Sequence, residues 1–183
     1  MDKKQYIDCI DKEVYSAYRS AKNRLNLIDK IWCRYISPES NSVFLIRKKQ
    51  LYESRGGVYS LFARLIHVKL MRRYGIHLTE GCQIGTGLRI AHPSSITFTK
   101  CIIGKNFQIY QGCTIGQKYH GSEMYPTIGD NVIMFAGSQI IGAVKVSDNV
   151  IIGASACLVT DAPIPGTYVG IPAKMISKTA DQA

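Results

Sequence analysis

From Ile128 onward an aliphatic residue or methionine returns at every sixth position: Ile128, Met134, Ile140, Val146, Ile152 and Leu158. The same spacing links Leu78, Ile84 and Ile90, and again Ile103, Ile109 and Ile115. Gly follows the aliphatic residue at Gly85, Gly104, Gly116, Gly129 and Gly153, and a compact residue stands four positions after it at Cys82, Cys113, Val132, Ser138 and Ala156. A period of six is neither that of a helix nor that of a simple alternating strand. It fits short strands that each send one side chain into a narrow core and then turn a corner at a small residue. Stacked coil upon coil, such strands form a hexapeptide β-solenoid.

The repeat does not cover the whole chain of 183 residues. Fourteen of its 16 glycines lie at or after Gly75, whereas the formal charge of +10 is concentrated before it. Residues 1–74 hold 16 basic and 7 acidic side chains, against 7 and 6 in residues 75–183. The chain therefore divides into a basic N-terminal segment, 1–74, and a nearly neutral repetitive domain, 75–183. An apolar content of 46% with 20% charged residues excludes general disorder.

The first segment reads as helical. Lys3–Lys22 is rich in helix formers, and Leu25, Ile28, Trp32 and Ile36 share one helical face. The stretch "SPESN" at 37–41 is a break with an N-cap for a helix starting near Val43, and Gly56-Gly57 is a second break. In 58–74, Val58, Leu61, Phe62, Leu65 and Val68 recur at helical spacing beside Arg64, His67, Lys69, Arg72 and Arg73. The expectation is that this apolar stripe packs on the rest of the protein; a membrane surface or a polyanion is the alternative. No helix-turn-helix, zinc-finger or RNA-binding signature accompanies the charge, so nucleic acid is not expected as a partner. The start "MDKKQYIDCIDKE" shows no secretory h-region, and no apolar run is long enough to span a bilayer. The six cysteines form no CxxC pair and are expected as reduced thiols in a cytoplasmic protein, with Cys82, Cys113 and Cys101 filling the compact slot of the repeat.

The interruptions of the repeat carry the functional reading. Ile90 to Ile103 and Ile115 to Ile128 are each thirteen residues apart, one more than two hexads. The first break, "AHPSSITFTKC", contains His92. The second, "GQKYHGSEMYPT", contains His120 and reads as a polar loop in place of one strand. In solenoids such departures map to loops on a binding face. Histidine suits general-base work near neutral pH, which makes His92 the leading catalytic candidate and His120 a residue of a substrate loop.

"IGTGLRIAHPSSITF", "IGKNFQIYQGCTIGQ", "PTIGDNVIMFAGSQIIGAVKV", "VIIGASACLV" and "VGIPAKMI" resemble the serine acetyltransferase branch of the hexapeptide acyltransferases over about residues 75–177. The resemblance implies a left-handed parallel β-helix preceded by an α-helical segment. It also implies a homotrimer with active sites between subunits and acetyl-CoA as co-substrate, with a dimer of trimers as the larger alternative. With His92 and His120 as the only histidines in the breaks and no paired-His spacing, no metal is expected. By the same resemblance His92 falls on the catalytic general base. Gly116, Ala136 and Ala154 fall on small residues along the pantetheine arm, and Lys174 lies near the nucleotide end.

Three positions depart from that branch. Ala91 stands where serine acetyltransferases have Asp before the histidine, and His77 where they have a second Asp. Tyr125 of "MYPTIG" aligns with their second active-site histidine. The lost positions are those linked to binding serine and orienting the base. The "HP" motif and short helical front end are closer to the O-acetyltransferases of capsular, exopolysaccharide or O-antigen sugars. The expected acceptor is therefore a sugar or polysaccharide hydroxyl, with serine O-acetylation as the alternative and a non-catalytic scaffold as a third reading. Glu80 is a substitute partner for His92, and His77 is an alternative contact to the acceptor.

Overall fold

The computed structural model describes residues 2–15, 26–119 and 124–178. From residue 77 the chain winds through about five coils of three short strands each. The first coil is β1 (His77–Leu78), β2 (Gln83–Ile84) and β3 (Arg89–Ile90). The second is β4 (Thr97–Phe98), β5 (Ile102–Ile103) and β6 (Gln108–Ile109). The third is β7 (Thr114–Gly116), β8 (Thr127–Ile128) and β9 (Ile133–Met134). The fourth is β10 (Gln139–Ile141), β11 (Lys145–Val146) and β12 (Val150–Ile152). The fifth has β13 (Cys157–Leu158), a bridge at Ala162 and β14 (Gly166–Val169), on which β15 (Lys174–Lys178) folds back antiparallel.

Strands that are three apart pair in parallel and make the three faces of a prism. The first face is β1-β4-β7-β10-β13, the second β2-β5-β8-β11, and the third runs from β3 through β6, β9, β12 and β14 to β15. The strands of the first face send their second residue inward: Leu78, Phe98, Ile115, Ile140 and Leu158 stack down that face, all essentially buried. The corner between the second and third faces is tight. A Cβ on Gly104 would lie 2.7 Å from the Gly129 carbonyl in the next coil, which is why the repeat holds glycine there.

Two details differ from the sequence expectation. In the first break the inward residue is Phe98, an aromatic, eight residues after Ile90 and five before Ile103, so the hexad there is stretched and then shortened. In the second break no strand is lost. β8 follows β7 directly, and residues 117–126 are an insertion between the first and second faces. The compact-slot reading of the cysteines holds: Cys82, Cys101 and Cys113 are buried, none is disulfide-bonded, and the Cys82 and Cys101 sulfurs lie 3.2 Å apart in successive coils.

The helical layer closes the first-coil end of the prism. Helix α1 (Lys3–Cys9), started by an Asp2–Gln5 capping box, continues as a π-helical turn over Ile10–Val14. Of the rest of the expected Lys3–Lys22 helix, Tyr15 is a bend and residues 16–22 lie outside the described residues. Helix α2 (Leu27–Ile31) likewise continues into a π-helical turn, Trp32–Ile36. Helix α3 (Pro38–Arg55) begins five residues before Val43, because proline is favourable at a first helical position where its missing N–H costs nothing. Helix α4 (Tyr59–Tyr74) ends at Gly75, whose φ of 62° is left-handed.

Helix α3 is the centre of this layer. Val43, Phe44, Leu45 and Ile46 are all buried, so it is covered on every side. The first coil would otherwise leave unpaired backbone groups along its open edge, a costly arrangement when covered by helices. One buried ion pair satisfies four of them. The Glu13 carboxylate accepts from the N–H groups of Gly87 (2.6 Å) and Leu88 (3.1 Å). The Arg47 guanidinium donates to the carbonyls of Ile84 (2.7 Å) and Gly85 (2.5 Å). Glu13 and Arg47 bind each other through two bonds of 2.7 Å, with side chains no more than 1% exposed. Two residues of the basic segment, Arg47 and Lys49, are thus buried rather than solvated.

Candidate active site

The corner between the third and first faces carries His92. The chain leaves β3 through Ala91 and crosses to β4 through residues 92–96, the stretched hexad of the first break. His92 takes a left-handed backbone, φ 55°, an uncommon conformation for a residue with a Cβ, which sets its exposed ring out from the prism. Among the described residues its imidazole has no hydrogen bond or ion pair. Its neighbour is Tyr110, with ring centroids 6.5 Å apart. The Tyr110 hydroxyl accepts from Gln108 Nε2 at 3.0 Å, and its ring stacks on Phe135 at 5.2 Å. Tyr110 is a wall of the site that periodicity alone did not single out. Its signal was register, since Tyr110 follows Ile109 as Ala91 follows Ile90.

Register also orders the column beside His92. The backbone bonds Ala91 to Ile109, Tyr110 to Met134, Phe135 to Ile152 and Gly153 to Tyr168 align the coils at this corner. The position of His92 is then occupied by Gln111, Ala136 and Ala154 in successive coils. With coils about 4.8 Å apart, Ala154 lies roughly 14 Å from His92 along the prism. Lys174, exposed and opposite Val169 on β15, lies two strands further along the same face. The column therefore runs from a free imidazole, past side chains that leave room at Ala136 and Ala154, to a cation.

The other candidates lie elsewhere in the same chain. Gly116 is buried at the corner between the first and second faces, against Ile141, and does not join the column of Ala136 and Ala154. Tyr125 sits at that corner too, with the Lys100 ammonium 5.0 Å from its ring centre. His120 lies outside the described residues. His77, at the start of β1, meets the ring of His67 from α4 at 6.2 Å rather than that of His92. Glu80 lines a cleft of about 690 Å³ between the helical layer and the first coil, together with Gln50, Ser54 and Ser60. Glu80 is thus not a partner of His92 within one subunit, because the corner that carries it faces the helices. A second groove, of about 200 Å³, runs beside Lys118, Gly142, Val144 and Asp161 below the inserted loop.

No protein-family model matches the chain. Among curated proteins, the serine acetyltransferase of Staphylococcus epidermidis is 36% identical over 141 residues, 67% of this chain and 66% of that protein. The serine acetyltransferase of Staphylococcus aureus is 38% identical over 107 residues, 57% of this chain and 50% of that protein. The matches thus span just under two thirds of the first relative and half of the second. Among solved structures, Neisseria gonorrhoeae serine acetyltransferase superposes with a TM-score of 0.79 at 21% identity, covering 98% of this chain and 69% of that one. A serine acetyltransferase in complex with CoA gives 0.75 at 20% identity, covering 95% and 71%. Fold and repeat together define a hexapeptide β-solenoid with an N-terminal helical layer, as in serine acetyltransferase structures. Within that class the chain is similar in sequence to the serine acetyltransferases named above, and nothing in those relatives points to a polysaccharide O-acetyltransferase branch.

Proposed function

We propose that the protein is an acetyl-CoA-dependent O-acetyltransferase with His92 as general base. The observation that carries the reading is the corner column: an unpartnered imidazole at one end, small side chains at Ala136 and Ala154, and Lys174 at the other. Such a column has about the length of an extended pantetheine arm, and a cation at its far end suits the nucleotide phosphates. His92 would take the proton of the acceptor hydroxyl as its oxygen attacks the thioester carbonyl. The collapsing tetrahedral intermediate releases CoA thiolate, which recovers that proton and leaves as the free thiol.

The two breaks of the repeat open on different corners of the prism, so they cannot face each other within one chain. Three copies side by side about a threefold axis would set the His92 corner of one against the Tyr125 corner of the next. This supports a homotrimer with its sites between subunits, where Gly116 or the loop carrying His120 would come from the neighbouring copy.

L-serine is the first acceptor to consider, since the matched curated relatives are named serine acetyltransferases. That is the reading placed second from sequence. A sugar hydroxyl remains a second reading on one observation: among the described residues no carboxylate is bonded to His92, Ala91 and His77 stand where acids would, and a serine ammonium group would seek one. Release of free CoA from acetyl-CoA, followed with L-serine and with saccharide or sugar-nucleotide acceptors, decides between them. Turnover with serine alone selects the first and turnover with sugars alone the second. No turnover with any hydroxyl acceptor rejects acetyl transfer and leaves a scaffold.

A further inference from the structure

The apolar stripe of α4 does not pack on the protein. The helix rests on α3 and the first coil through Ala63, Leu70 and Tyr74, its buried residues. The stripe expected to face inward points outward instead: Val58 is 68% exposed, Leu61 58%, Leu65 58% and Val68 42%. Large side chains in a row on a water-facing helix are costly unless something covers them. Helix α2 repeats the pattern, with Leu27 and Ile28 more than 70% exposed and Trp32 half exposed. Arg73 of α4 donates to the Tyr35 carbonyl at 3.3 Å, which sets the C-terminal ends of the two helical rows side by side.

Charge selects the occupant. Tyr59–Tyr74 contains no Asp or Glu, while Arg64, Lys69, Arg72 and Arg73 are all exposed. Lys69, Arg72 and Arg73 border a shallow groove floored by Leu65 and Val68. A second copy laid helix on helix over α4 by a twofold axis would bring cation onto cation, with no acid on that helix to offset it. A surface that is apolar beneath and negative above fits both features, with the aliphatic row entering the acyl boundary and the cations meeting phosphate. Trp32 on the neighbouring row is a side chain suited to that interface. No helix among the described residues is long and apolar enough to cross a membrane, so the contact would lie in the interfacial plane. We infer that α4, with α2 beside it, docks the enzyme on an anionic lipid surface, independently of the reaction at His92.

The test is co-sedimentation of the full chain with vesicles of phosphatidylcholine carrying about 30% phosphatidylglycerol, at low and at high salt. The expected result is binding at least about tenfold stronger than to pure phosphatidylcholine and largely lost at roughly 0.5 M salt. Lys69→Glu with Arg72→Glu, and separately Leu61→Ser with Leu65→Ser, should each abolish pelleting while circular dichroism and CoA release stay as in the parent. Absence of binding at low salt overturns the inference. So does a serine pair that leaves vesicle binding intact, or one that only lowers the mass measured by light scattering, which would make the face an interface between copies. Because CoA release is read in the same samples, failure of lipid binding is separable from failure of the catalytic reading.

Discussion

The solenoid and the helical layer bury their apolar residues by opposite rules. In the solenoid an inward side chain stacks on the same position of the neighbouring coil, so one spacing serves every coil except at the two breaks. In the helical layer each helix meets different neighbours, and which face turns inward depends on them. Helix α4 shows the consequence: it packs through Ala63 and Leu70 and leaves its larger stripe outside. Periodicity reports that a helix has an apolar face. It does not report whether that face belongs to the chain's own core or to a partner.

The largest expected effect lies on the solenoid side. His92→Ala should lower turnover by about 10²–10⁴-fold, the usual worth of a positioned general base. His92 is exposed and unpartnered, so the variant should keep the parent's circular dichroism and melting temperature. A loss of activity accompanied by unfolding would mean that the first break is structural, and unchanged turnover would move the chemistry off this corner.

The next effect lies on the junction between the two regions. Removing one partner of a buried ion pair costs about 3–5 kcal/mol, so Arg47→Ala should lower stability by that order in chemical denaturation. An ordinary buried pair can often be replaced by two apolar residues without loss. Here Glu13→Leu with Arg47→Met should remain strongly destabilised, because the pair also serves Gly87, Leu88, Ile84 and Gly85. A double variant as stable as the parent would show that the open edge needs no cap, and that the helices are merely attached to the solenoid.

The junction also marks where the sequence stops being readable. The strands from β8 to β13 follow from a spacing of six, and the cysteine slots follow from the same count. His92 was legible because an insertion stands out against a strict repeat. Phe98 was not, since an aromatic residue fills the interior where only aliphatic ones were sought. Glu13 and Arg47 were invisible for a deeper reason. They lie 34 residues apart with no periodic signal, and each reads locally as one more charge on a polar helix. The basic excess of the first segment therefore has two parts, a buried one that holds the regions together and an exposed one on α4.

The smallest expected effect comes from His67, on the inward side of α4. Its ring faces His77 of β1 at 6.2 Å, its Nδ1 is buried without a hydrogen-bond partner, and Lys49 and Glu53 stand nearby. Burial lowers its pKa below 6.5, with the Lys49 and His77 charges acting in the same direction against weaker opposing pulls from a hydrogen bond to the Leu78 backbone and from Glu53. As pH falls through about 6.5 the unfolded chain takes up the proton before the folded one, so stability falls with it until the folded pKa is passed. Above about 6.5 the contribution is fully present and pH-independent. His67→Gln should therefore flatten the change in denaturation midpoint between about pH 7.5 and pH 5.5, by a modest amount because the ring is not fully enclosed. Parallel loss of stability in parent and variant would assign the acid sensitivity to other groups, and would remove His67 from the contacts that distinguish the inward face of α4 from its outward one.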